Sequence, residues 1–158
     1  MKLSQTLNDA LNQQIFIELG NQNKYIQIES YFENLQLKNL AEFFKTQSAG
    51  ENDHARLFIN HINDRNGGKV TLEDINSPKT DFATVNDVAD FYVLTEQQTT
   101  ESIESLYDLA LTEKSYIDLP FLSKMLDEQV EEEDTSQKFA LNIKTVKDIV
   151  LFDATFKG

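Results

Sequence analysis

Pro78 and Pro120 are the only prolines among 158 residues, and just five glycines accompany them. Long stretches therefore lack backbone breakers, and each carries an apolar residue every three or four positions. That combination permits little except long amphipathic helices. The first predicted helix spans about residues 3–35, with Leu7, Leu11, Ile15, Glu18, Gln22, Tyr25, Ile28 and Phe32 on one stripe. The second, about 40–66, aligns Leu40, Phe44, Gln47, Glu51, His54, Phe58 and Ile62, and stops at Gly67 and Gly68. The third, about 85–112, opens on the capping pair Thr84 and Asp87 and aligns Val85, Ala89, Tyr92, Glu96, Thr99, Ile103, Leu106 and Ala110. The fourth, about 116–145, has Ser115 and Asp118 as a start signal and Pro120 in its first turn. Its stripe is Phe121, Met125, Gln129, Glu132, Ser136, Phe139, Ile143 and Val146. A short tail helix is predicted at about 146–156.

Helices of this size are roughly 40–50 Å long. Short turns join the first pair and the second pair, but residues 69–84 form a long connection. A link of that length fits a chain that must cross from one end of a bundle to the other. The sequence thus predicts a single all-α domain over 1–158: a four-helix bundle with one long crossover between the second and third helices and a short fifth helix.

Composition narrows the function classes. Fourteen Lys and Arg face 27 Asp and Glu, a formal net charge of −13, which disfavours nucleic acid and anionic lipid as partners. No apolar run reaches the length of a membrane span. The opening stretch MKLSQTLNDALNQQ is polar, without the apolar core of a signal peptide, so a cytoplasmic location is expected. With no Cys, thiolate metal sites, iron–sulfur clusters and thiol nucleophiles are excluded. His54 and His61 are the only histidines, so a metal site would be built mainly from carboxylates, which suit hard or borderline ions.

What interrupts the stripes is more informative. Glu18, Glu51 with His54, Glu96, and Gln129 with Glu132 each sit near the middle of a helix, in phase with its apolar residues. An unpaired buried carboxylate costs several kcal/mol. Two divalent cations would balance the four carboxylates, with His54 as a nitrogen ligand. Glu51 and His54 are spaced i, i+3 and share a face, and Gln129 and Glu132 repeat the spacing. One Glu from each of two helices and one i, i+3 pair from each of the other two is the di-iron carboxylate pattern. His61, two turns beyond His54, is too far along the helix to share the metals and reads as structural.

Leu11-Asn12-Gln13-Gln14-Ile15 with Glu18-Leu19 and Tyr25, then Glu51-x-x-His54-Ala55-Arg56-Leu57-Phe58, the central Glu96, and Asp127 to Glu133 together resemble the prokaryotic non-haem ferritins. Ile62 to Gly67 and Ser77-Pro78 resemble that family's second-helix end and crossover. The resemblance implies a ferritin-like fold and an iron-storage subunit that oxidises Fe²⁺ with O₂ or H₂O₂ at a di-iron ferroxidase centre. Glu18, Glu51 and His54 would hold the first iron. Glu51 would bridge to a second, completed by Glu96 and Glu132. Gln129 would line the site, and Tyr25 would be the adjacent tyrosine that supplies an electron. Glu128 and Glu131 resemble ligands of a third iron, but many relatives have a glutamate where this chain has Gly50. A homo-oligomeric shell of 24 subunits is implied, with the tail at its fourfold axis in part. Haem is not expected, because the fourth helix lacks a second Glu–His pair and the second lacks a Met. Competing readings are a non-storage di-iron peroxidase or oxidase, a DNA-protecting mini-ferritin, or a non-catalytic helical assembly protein. The absence of Cys and of a His on the first helix speaks against the first two enzyme types.

Overall fold

A computed structural model describes all residues 1–158. Five helices form: α1 (Gln5–Asn34), α2 (Lys38–Asp64), α3 (Val85–Thr112), α4 (Leu119–Thr145) and α5 (Ile149–Thr155). The boundaries follow local chemistry. Ser4 caps α1 by accepting from the Leu7 amide. Thr84 and Asp87 form the reciprocal capping box that their spacing implied. The fourth helix starts at Leu119 rather than 116, because residues 116–118 are taken up in a turn and Pro120 sits in the first helical turn.

The four long helices form the bundle, with α1 lying along α2 and α3 along α4. The crossover can be followed contact by contact. Near the start of α1, the Lys69 amide donates to Asn8 Oδ1 and the Thr71 amide to Asn12 Oδ1. Near its end, Phe82 packs edge-on against Tyr31. The link therefore runs beside α1 for about 35 Å. Its departure from α2 needs Gly68, where a Cβ would fall 1.9 Å from the Ile62 carbonyl oxygen. Any side chain there would displace the turn.

The core is divided. One apolar cluster includes Leu7, Leu11, Ile15, Phe58, Ile62, Ile103 and Met125. The other includes Tyr25, Ile28, Phe32, Leu40, Phe44, Tyr92 and Phe139. Between them lies a buried polar layer containing Glu18, Asn21, Ser48, Glu51, His54, Thr95, Glu96, Thr99 and Gln129. In three places the buried phase differs from the predicted stripes by one residue, the first being α2, where Ser48 rather than Gln47 is buried. Asn21 rather than Gln22 is buried on α1, and Leu122 rather than Phe121 on α4. Neighbouring residues on a helix are about 100° apart, so packing decides between them.

Two polar devices close the ends. α2 has no side-chain cap of its own, and α5 supplies one: Asp153 Oδ1 accepts from the Leu40 amide at 2.8 Å. Phe156 follows, set edge-on against Phe43 and Phe139. At the other end, buried Asp118 accepts from Arg65 Nε at 2.6 Å and Ser115 Oγ at 2.6 Å, with His61 Nε2 at 2.8 Å. His61 stacks on Phe121, so its role is structural, tying α2 to α4. Burial works to raise the Asp118 pKa, but the bonds from His61, Arg65 and Ser115 outweigh it and hold the carboxyl well below the usual range. A depressed pKa contributes stability above the unfolded value of 3.8 and loses it as pH falls further. Asp118→Asn leaves Arg65 buried without its counter-charge and is expected to destabilise the fold by about 3 kcal/mol. The denaturant midpoint measures this; an unchanged midpoint would contradict the assignment.

Candidate metal centre

The polar layer is built from helix phase. Glu18 is three residues from Ile15 and seven from Tyr25, so it occupies a core position of α1. Glu51 and His54 occupy core positions of α2, Glu96 of α3, and Gln129 of α4. With apolar clusters above and below, these side chains meet one another rather than water.

Glu18, Glu51 and His54 converge. One ligand atom from each lies within 4.8 Å of the others, and all three residues are buried. His54 Nδ1 is 3.8 Å from Glu18 Oε2 and 3.8 Å from Glu51 Oε2. Those distances exceed hydrogen-bond length. Glu18 Oε2, Glu51 Oε2 and His54 Nδ1 are accordingly the three buried side-chain polar atoms without a partner. Native interiors seldom leave such atoms unpaired. Two carboxylate oxygens and an imidazole nitrogen, all unpartnered and aimed at one point, suit a divalent cation such as Fe²⁺.

Glu96 and Glu132 stand apart from this trio. Tyr25, fully buried, donates its hydroxyl to Glu96 Oε1. Gln129 Nε2 contacts the Glu96 backbone oxygen at 3.3 Å, Glu96 Oε2 at 3.4 Å and Thr100 Oγ1 at 3.2 Å. Glu132 is only half-buried, but it interacts electrostatically with Glu96 and His54. Glu128 is half-buried and Glu131 exposed on the same side of α4. Both act on Glu132 through their charge. A Cβ at Gly50 would meet nothing within 4 Å, so open space lies where a third-site glutamate would stand.

Two further polar residues of α1 contribute. Gln14, one turn before Glu18, donates to Glu18 Oε1 at 2.8 Å and accepts from Ser102 at 2.6 Å. Asn21, one turn after, donates to Thr99 Oγ1 at 2.8 Å and accepts from Lys24 at 3.1 Å. Their i−4 and i+3 spacing from Glu18 was the available signal.

Electrostatics follow from burial. Burial and then the charge of Glu51 push the Glu18 pKa well above its usual value. Burial likewise raises Glu51 and Glu96. Glu132 is pushed up to about 7, by burial and by the charge of Glu96. Burial and the negative charges of Glu96 and Glu51 raise Tyr25 well above the phenol range, keeping its proton on.

The ferritin-like domain family model matches residues 8–146. The chain belongs to the ferritin family. Bacterial non-heme ferritin of Staphylococcus aureus (strain USA300) is 33% identical over 131 residues, covering 83% of this chain and 78% of that protein. The Staphylococcus haemolyticus bacterial non-heme ferritin is 32% identical over 133 residues, covering 84% and 80%. Among solved structures, an open pore ferritin from Archaeoglobus fulgidus superposes with a TM-score of 0.93 at 25% identity, covering 97% of this chain and 96% of that one. The predicted all-α ferritin-like fold, crossover included, is the fold observed. No helix is long and apolar enough to cross a membrane.

A raised carboxyl pKa has a defined sign. Its stabilising contribution is present below the unfolded value of 4.5 and is lost as pH rises through the folded value, about 7 for Glu132. The metal-free ferritin should therefore melt at lower temperature as pH rises across that interval. A redox-inert divalent cation should remove the trend and release protons on binding, more at pH 6 than at pH 9. Melting curves and a weakly buffered titration with Zn²⁺ check both; binding without proton release would contradict the charge account.

Proposed function

We propose that this ferritin subunit binds Fe²⁺ in pairs at the buried layer, oxidises it with O₂ or H₂O₂, and passes ferric ion into a shell where it is stored as mineral. The observation that carries the proposal is the trio of unpartnered atoms on Glu18, Glu51 and His54. Fe²⁺ is the substrate, and these residues would hold the first ion. Glu51 would be shared with a second, completed by Glu96 and Glu132. Four ionised carboxylates would balance two Fe²⁺, whose charge would offset the burial and mutual repulsion that raise these pKa values.

The chain's own side chains would do the rest. Gln14 orients the Glu18 carboxylate, leaving Oε2 free for metal. Gln129 orients Glu96 and offers its amide beside bound oxidant. Tyr25, hydrogen-bonded to Glu96, would supply an electron, its proton being taken up by the adjacent carboxylate. The apolar clusters above and below keep bulk water from the reacting metals. Glu128 and Glu131 would conduct ferric ion toward the cavity rather than hold a third iron tightly, since Gly50 supplies no ligand.

The 24-subunit shell is supported by the ferritin family and by helix faces that expose Leu94, Leu111, Val130 and Leu141. Such a particle has a mass of about 430 kDa. A cytoplasmic setting agrees with the want of Cys and of membrane-spanning helices. The mass and an iron-oxidation assay separate storage from the alternatives, since a non-storage oxidase would turn over without accumulating mineral. Glu51→Ala should keep the particle mass while the fast rise in ferric absorbance after adding Fe²⁺ in air disappears. Oxidation as fast as the parent's would refute the assignment of Glu51.

A further inference from the structure

A pocket of about 300 Å³ opens where α1, α3 and the crossover meet, away from the Glu128–Glu131 side of the centre. Ile75, Ser77 and Pro78 of the crossover rim it. Gly20 leaves one wall bare, the nearest atom to a Cβ there being Ile75 Cγ2 at 4.0 Å. The floor is the buried Asn21–Thr99 hydrogen bond. Asn21 also reaches toward the Glu51 carboxylate, and Thr95 and Thr99 flank Glu96 along α3. The pocket thus ends one layer of side chains from the metal centre.

Lys24 stands in its wall. The ammonium donates to Asn21 Oδ1 at 3.1 Å and lies 5.9 Å from the centre of the Phe91 ring. It forms no salt bridge, unlike Lys38, Lys45, Lys138 and Lys144. Its charge is therefore not cancelled at contact, and its field extends across the pocket to Glu51 and Glu96 beyond the floor. A cation coming this way meets a like charge before any carboxylate. A small uncharged molecule does not feel that barrier.

We propose that this pocket admits the uncharged oxidant, dioxygen or hydrogen peroxide, to the carboxylate centre, and that Lys24 bars Fe²⁺ from the same path. The proposal rests on the ferroxidase reading and adds a division of routes: oxidant from the crossover face, iron from elsewhere. Lys24 acts as a selectivity residue and touches neither metal nor oxidant in the reaction.

Stopped-flow measurements on iron-free assembled protein test it with two readouts: Fe²⁺ oxidation rate against oxygen concentration, and the anaerobic binding rate of Co²⁺ from its visible absorbance. Gly20→Leu fills the pocket from α1. Gln98→Trp fills it from an exposed position of α3, where the fold tolerates a large side chain. Both should raise the KM for oxygen severalfold and leave the Co²⁺ rate at the parent value. Lys24→Gln should accelerate Co²⁺ binding and Lys24→Glu do so further, by about tenfold at low salt, with the gain lost at high salt. The oxygen KM should be unmoved by either lysine variant. Plugged variants that slow Co²⁺ while sparing the oxygen dependence would make the pocket the cation route and overturn the proposal. An unchanged oxygen KM in Gln98→Trp, or an unchanged Co²⁺ rate in Lys24→Glu, would overturn its oxidant and cation halves respectively. A parent that binds Co²⁺ but shows no fast oxidation would instead overturn the ferroxidase reading. The oxidant half then falls with it, and the Co²⁺ rates still decide Lys24.

Discussion

Carboxylates that repel one another inside a low-dielectric bundle are the interaction on which the rest of this structure depends. Glu18 and Glu51 lie side by side, both buried, and Glu96 and Glu132 add to the repulsion. A folded chain can meet that constraint by taking up protons or by taking up cations. Protonation would relieve the charge, and a proton shared between Glu18 and Glu51 would pair their oxygens, but His54 Nδ1, 3.8 Å from each carboxylate, would still lack a partner. Cations satisfy both. Iron binding and fold stability are for that reason one thermodynamic question in this protein.

The architecture makes the constraint bearable. Two apolar clusters, one at each end, supply the hydrophobic stabilisation that the middle forgoes. The ends are also where polar networks are fully satisfied: Asp118 with Arg65, Ser115 and His61, and Asp153 with the start of α2. The unsatisfied groups are confined to the middle. This contrast argues for function there, because the same chain pairs its buried charges elsewhere. Long helices suit the purpose, since each would lend only one or two ligands and keeps enough apolar length to stay folded.

Much of this was legible in the sequence because helical periodicity reports burial directly. Glu18, Glu51, His54, Glu96 and Gln129 stood in phase with apolar neighbours, and all are buried. Phase has limited angular resolution, however. The periodicity points to Gln22 where Asn21 is the buried residue, and to Phe121 where Leu122 is, because both members of each pair lie near the apolar stripe. Glu132 is in phase yet only half-buried. Contacts between residues far apart in the chain left no local signature at all. Nothing in the spacing of Arg65 and Asp118, or of Leu40 and Asp153, says that they meet. The pocket beside Lys24 was equally hidden, because it exists only once the crossover lies against Gly20.

The account is tested most directly by diffraction from crystals grown free of metal and soaked in Fe²⁺ without oxygen, with data collected at the iron edge. It predicts two anomalous peaks within the bundle, one bonded to Glu18, Glu51 and His54 and the other between Glu51, Glu96 and Glu132. Anomalous peaks only on exposed carboxylates, with the Glu18–Glu51–His54 trio unliganded, would contradict it.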